Sequence, residues 1–150
     1  MMNVVRPGQA IVGEMGYRQL LGFGRMARDL HRPVEILSGP TVREANGLAM
    51  SSRNRYLSDE ERASAAVLRQ QLVATGRALR AGRRDFAALE QAARVQLRAA
   101  GFAPQYFNIL SPELEPATSQ HSDFVVLAAA VLGAARLIDN IRLDDPALAA

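Results

Sequence analysis

Ser51, Ser52, Arg53 and Arg55 fall within five residues and set hydroxyls beside fixed cations just ahead of a helical pattern. Consecutive hydroxyls, backbone N–H groups at a helix start and guanidinium forks together suit an anion, phosphate above all. The competing reading is that Ser51 or Ser52 only caps a helix, a common use of serine, and that the arginines are solvated. Upstream, Pro40 breaks any helix and Asn46-Gly47 is a hinge signal. The segment Gly39–Leu57 is therefore the stretch that the other elements must position.

On its N-terminal side, Ala10-Ile11-Val12 reads as a short buried strand ending at Gly13. Leu20, Leu21, Ala27 and Leu30 recur at helical spacing over Tyr17–Leu30. Gly22 and Gly24 interrupt that pattern, each at about 1 kcal/mol relative to alanine. Pro33 leads into the alternating strand Val34–Leu37, stopped by Ser38-Gly39-Pro40. Strand, helix and strand at this spacing predict a parallel unit. It offers too few strands for a complete doubly wound domain and leaves an unpaired edge that invites association.

On the C-terminal side, Ser58-Asp59-Glu60-Glu61 is a capping box. The helix it starts carries Leu68, Leu72 and Leu79 on one face and stops at Gly82. Arg80, Arg83 and Arg84 suit the negative end of its dipole. Asp85 caps a second helix with Phe86, Leu89, Ala93 and Leu97 on one face, ended by Gly101. The period then changes from 3.6 to 2. Gln105–Leu110 alternates, residues 112–123 form a polar loop, and Phe124–Leu132 reads as a buried strand. Gly133-Ala134 turns that strand into Arg136–Ile141. The tail from Asp144 to Ala150 is expected to fray. The predicted fold is α+β: a helical hairpin on a three-stranded antiparallel sheet, preceded by a strand–helix–strand segment.

Composition narrows the chemistry. The 150 residues hold no cysteine, which removes disulfides and thiolate metal sites. All 18 basic residues are arginine, so no lysine is present for Schiff-base chemistry or as a phosphate clamp. A net charge of +3 spread along the chain, with no aromatic platform beside the arginines, argues against nucleic acid as a partner. The apolar run Phe124–Ala135 is too short to span a bilayer, and Met1–Pro7 lacks the apolar core of a signal peptide. The two histidines, His31 and His121, stand far apart. His31 falls at an expected helix C-terminus, where a cation is favoured.

The stretch GPTVREANGLAMSSRNRYLSDEERASA, Gly39–Ala65, resembles the ATP- and phosphate-binding segment of the pantothenate synthetase family, which joins pantoate to β-alanine using ATP. NVVRPGQAIVGEMGYRQL resembles the family segment that ends in Gly-Glu-Lys-Asp-Tyr-Gln-Gln-Leu, and ARLIDNIRL resembles its closing strand. With the apolar strand before that closing strand, four pieces occur in family order from about Asn3 to Leu143. The resemblance implies that residues 1–40 are the C-terminal remnant of a Rossmann-like nucleotide-binding domain and residues 41–150 a C-terminal α+β lid domain. It implies that Ser51, Ser52 and Arg53 hold the ATP phosphates and act in catalysis. By the same resemblance, Gly13, Val42 and Met50 meet the nucleotide and Gln19 meets pantoate. ATP and Mg²⁺ are the implied cofactors, and a cytoplasmic location and a separate N-terminal half or a homodimer are further implications. No nucleic-acid or membrane partner is expected.

Two departures bear on activity. Where the family has Lys-Asp after Gly-Glu, this chain has Met15-Gly16, and Arg18 replaces the first glutamine. Losing a cation that neutralises developing phosphate charge costs about 3–4 kcal/mol in the transition state. The family's His-x-Gly-His nucleotide motif has no counterpart here. The leading expectation is an ATP-dependent ligase half, inactive or weak as this chain alone. The alternatives are a non-catalytic nucleotide-binding or regulatory relative, and an unrelated basic interaction module.

Overall fold

The computed structural model describes residues 7–149. The chain divides into two compact units between Val42 and Arg43.

In the first unit, β1 (Gln9–Gly13) runs through a single 3₁₀ turn (Glu14–Gly16) into α1 (Tyr17–Asp29). β2 (Glu35–Gly39) then pairs parallel with β1, Ile11 opposite Leu37 and Gln9 opposite Glu35. Gln9 Nε2 donates to Glu35 Oε2 at 2.8 Å, fixing the register at one end. The predicted parallel unit is present, but β1 is not a buried strand. Ile11 is 77% exposed, and only Tyr17 and Ala27 are buried among the described residues of this unit. The reason is a shortage of cover: a parallel pair needs helices on both faces, and the described residues of this unit supply one α-helix. α1 ends at Leu30, with His31 N–H donating to Arg28 O and Arg32 N–H to Ala27 O, the Schellman pattern, and His31 in the left-handed region at φ 46°.

The second unit is built from α2 (Asp59–Arg80), α3 (Phe86–Ala99), β3 (Ala103–Leu110), β4 (Val125–Leu132) and β5 (Ala135–Arg142). The sheet is antiparallel and three-stranded, as predicted, in the order β3-β4-β5, so the most apolar strand is central. Leu68, Leu72 and Leu79 of α2 and Leu89, Ala93 and Leu97 of α3 pack with Val126, Ala128, Ala130 and Leu132 of β4 in one core. The capping box forms as predicted: Glu61 N–H donates to Ser58 Oγ at 3.1 Å and Ser58 N–H to Glu61 Oε2 at 2.9 Å. The free edge of β3 is blocked by α3, because Glu90 Oε1 accepts from Ile109 N–H at 2.8 Å and Arg94 Nη2 donates to Phe107 O at 2.7 Å.

Two local expectations are corrected. Asp85 sits at the N-cap of α3 but makes no side-chain cap, because its carboxylate is held by the Arg83 guanidinium. The tail is not frayed over its described residues. Asp145 accepts from Arg69 Nη2 at 2.9 Å and from Ala147 N–H at 2.8 Å, opening a 3₁₀ turn, Pro146–Leu148. Leu148 is buried against Gly76 of α2, where an added Cβ would lie 2.9 Å from Leu148 Cδ2. A side chain at 76 would have to displace the Leu148 methyls, so glycine lets the tail pack close to α2. Among the described residues no helix is long and apolar enough to cross a membrane.

Candidate functional site

The segment from Arg43 to Leu57 belongs to the second unit and consists of a small hairpin followed by a 3₁₀ turn. Arg43 bridges antiparallel to Ala49, Glu44 N–H donates to Leu48 O at 2.8 Å, and Gly47 N–H returns to Glu44 O at 2.9 Å. Asn46 Oδ1 accepts from Leu48 N–H and its Nδ2 donates to Arg62 O of α2. The Asn46-Gly47 hinge signal is therefore a turn fastened on both sides, with Gly47 at φ 90° supplying the reversal.

The hairpin is anchored to the sheet by charge. The Arg43 guanidinium grips Asp139 of β5 bidentately, Nη1–Oδ2 at 2.7 Å and Nη2–Oδ1 at 3.0 Å, and also donates to Gly47 O at 3.1 Å. Asp139 is 4% exposed, so this is a buried carboxylate with its partner in place. A second network sits beside it. Glu44 accepts from Asn54 Nδ2 at 2.8 Å and from Arg62 Nη1 at 2.9 and 2.8 Å through its two oxygens. Arg62 Nη2 donates to Asn54 O at 2.9 Å. The Asn54 amide, followed by Arg62, holds the Glu44 carboxyl below the usual glutamate range.

Ser51 is extended and its Oγ accepts from Arg53 N–H at 3.3 Å, capping the 3₁₀ turn Ser52–Tyr56. The helix-start expectation needs correction here. Ser51 and Ser52 open this separate short turn, while the N-terminus of α2 is closed seven residues after Ser51 by the Ser58–Glu61 box. Leu57 is extended between them and buried, which is what separates the two helices. Ser51 is half-buried, Ser52 and Arg53 are exposed, and Met50 is 57% exposed. Arg55 is turned onto Tyr56, its Nη2 donating to the phenol at 2.9 Å. Ser52 and Arg53 are exposed on the turn and the half-buried Ser51 hydroxyl caps it, a set of residues able to meet an anion.

Met50, Ser51, Ser52 and Arg53 are thus brought onto one anchored segment. Gly13, Gln19 and Val42 belong to the first unit. Gly13 ends β1 in extended backbone, and Gln19 is exposed in the first turn of α1 with its Oε1 folded back toward Gly16. Val42 is 64% exposed. Met15 lies in the 3₁₀ turn between β1 and α1, and Arg18 is exposed one turn later. Asn3–Arg6 of the quoted N-terminal segment lie outside the described residues. Among the described residues no group of three acidic or histidine side chains converges to hold a metal. The anchoring residues Arg43, Glu44, Asn54, Arg62 and Asp139 do not stand out in the sequence. Their pairings span up to 96 residues, and no local spacing marks them.

The family model for pantoate-beta-alanine ligase matches residues 1–142. A pantothenate synthetase from Hahella chejuensis is 49% identical over 142 residues, covering 94% of this chain and 50% of that protein. One from Pseudomonas fluorescens Pf0-1 is 47% identical over 150 residues, covering 98% of this chain and 52% of that protein. The crystal structure of pantothenate synthetase from Thermus thermophilus superposes with a TM-score of 0.86 at 41% identity, over 95% of this chain and 52% of that one. A Francisella tularensis pantoate-beta-alanine ligase complexed with beta-gamma ATP and beta-alanine shares the fold, with a TM-score of 0.70 at 22% identity over 97% of this chain and 48% of that one. The chain spans about half the length of the curated relatives it matches.

Proposed function

Because this chain belongs to the pantoate–β-alanine ligase family, we propose that it is the C-terminal half of an ATP-dependent ligase of pantothenate biosynthesis. In this reading, residues 1–40 are the end of the nucleotide-binding domain and residues 41–150 are the lid. The observation that carries it is the family match running through Ser51-Ser52-Arg53, where Ser52 and Arg53 are exposed on the turn that Ser51 caps. These three residues hold the ATP phosphates, Gly13, Val42 and Met50 meet the rest of the nucleotide, and Gln19 hydrogen-bonds pantoate.

The chemistry runs in two steps. A pantoate carboxylate oxygen attacks the α-phosphorus, the bond to pyrophosphate breaks, and pantoyl adenylate forms. The β-alanine nitrogen then attacks the acyl carbon, the bond to AMP breaks, and the amine loses its proton. Both steps place negative charge on phosphate oxygens, so the chain's contribution is orientation and positive charge, with no covalent nucleophile. Magnesium, when bound, neutralises phosphate charge. It would enter on the nucleotide with its own waters, since no described cluster of side chains forms a cage for it.

Met15 stands where the family motif has its lysine, and Gly16 where it has aspartate. This is the specific ground for a second reading, a nucleotide-binding relative that does not catalyse. We infer that the chain alone is inactive or weak and that its partner is a separate N-terminal half or a second copy, acting in the cytoplasm. The test measures AMP release dependent on both pantoate and β-alanine. The unmodified chain and its Met15→Lys/Gly16→Asp variant are each assayed with and without the N-terminal half of a relative. Signal is expected chiefly from the repaired chain plus that half. Robust turnover by the unmodified chain alone would show that an arginine serves in place of the lysine. ATP binding with no turnover in any arm would favour the second reading.

A further inference from the structure

We propose that Asn54, with Glu44 and Arg62, is the positioning hub that holds Ser51, Ser52 and Arg53 in register for an anion. The role in anion binding rests on the reading above, while the holding itself does not. A five-residue 3₁₀ turn is too short to be stable by its own hydrogen bonds. The ties at its two ends are Asn54 N–H to Ser51 O at 3.0 Å, Leu57 N–H to Asn54 O at 3.2 Å, and the Ser51 cap. Something outside the turn must fix it, and Asn54, 3% exposed, is the turn's one buried residue.

Asn54 commits both amide hydrogens. Its Nδ2 donates to Glu44 Oε1 at 2.8 Å and to Ala49 O at 3.0 Å, tying the turn to both strands of the hairpin. Its backbone carbonyl accepts from Arg62 Nη2, tying the turn to α2, and Arg62 closes the triangle on Glu44. The amide orientation follows from chemistry: the reverse would aim Oδ1 at a carboxylate and a carbonyl. Asn54 Oδ1 is buried without a hydrogen-bond partner, so the side chain is retained as a donor. Ser52 and Arg53 are exposed and precede the buried Asn54 in the same turn, so release of Asn54 is expected to loosen them.

The experiment uses the full chain and two readouts: amide exchange over residues 51–57, and affinity for MgATP by calorimetry. Asn54→Asp sets a carboxylate against Glu44. It is expected to speed exchange in the turn by about tenfold, the effect of losing a hydrogen bond to a charged group, with β4 amides unchanged as the control for folding. The Glu44→Gln/Asn54→Asp pair restores the hydrogen bond between positions 44 and 54 but leaves Ala49 O without its donor and Arg62 without its carboxylate, so it is expected to regain only part of the protection. Arg53→Ala is expected to weaken MgATP without altering exchange. Unchanged exchange over 51–57 in Asn54→Asp overturns the proposal, as does full protection in the pair, which would show that the contacts to Ala49 and Arg62 hold nothing. No MgATP binding by the unmodified chain, with the exchange pattern as expected, overturns the anion reading and leaves the hub standing.

Discussion

From Arg43 onward the molecule carries its own core, and among the described residues before it there is almost none. Leu68, Leu72, Phe107 and Val126 are no more than 1% exposed in the second unit. In the first, Ile11, Phe23, Met26 and Leu30 are all exposed large apolar residues. The secondary structure is regular in both. The difference lies in how many layers each sequence supplies: two helices on a three-stranded sheet close a core, whereas one helix on a parallel pair leaves a face bare. The contrast extends to the helix ends. α2 and α3 finish on Gly82 and Gly101 at φ 91° and 88°, while α1 finishes on His31, which has to adopt the same left-handed region with a Cβ. The candidate phosphate segment is built into the self-sufficient unit, so its geometry is set by that unit's own anchors.

The most drastic way to break the comparison is to cut it. Residues 43–150 expressed alone are expected to unfold cooperatively in urea, while residues 1–42 alone show a random-coil circular dichroism spectrum, since below about 40 residues a lone core is rarely enough. A smaller cut at single side chains sharpens it. Leu72→Ala is expected to destabilise by about 3 kcal/mol through cavity formation, and Ile11→Ala by under about 0.5 kcal/mol, both read from urea midpoints. Equal effects would erase the distinction.

His31→Gly relieves a left-handed L-residue and is expected to stabilise the end of α1 by about 1 kcal/mol, seen as slower exchange at Leu30–Arg32. The smallest effect is a pH dependence. Glu44 is held below its usual range, so its contribution is present above about pH 4.3 and is lost as pH falls through its lowered folded value. The stability gap between the chain and Glu44→Gln should therefore be largest at neutral pH, at most about 1 kcal/mol for a partly exposed pair. It should close on acidification below about pH 4. A gap that widens on acidification would contradict the assignment.

What is legible in the sequence is local. The Ser58–Glu61 box, the leucine stripe of α2 and the Gly133-Ala134 reversal each rest on residues within a turn or two of one another, and each is present. Ile11 reads as buried and is not, because an apolar run announces a strand but cannot announce what covers it. The tail reads as frayed and is not, because its order comes from Arg69 and Gly76, about seventy residues away. Ser51 and Ser52 read as a helix start, but the start of α2 is already claimed by the stronger cap at Ser58. The charged anchors of the candidate site are invisible in the sequence because Arg43 and Asp139 meet only once the sheet exists.

The central claim is that the Ser51-Ser52-Arg53 turn binds the phosphates of ATP. Calorimetric titration of the chain with MgATP, beside the same titration of Arg53→Ala, tests it most directly. The unmodified chain is expected to bind, and the variant to bind more weakly by about 1–3 kcal/mol, the range for a charged hydrogen bond. Equal affinity in the two proteins would contradict the claim.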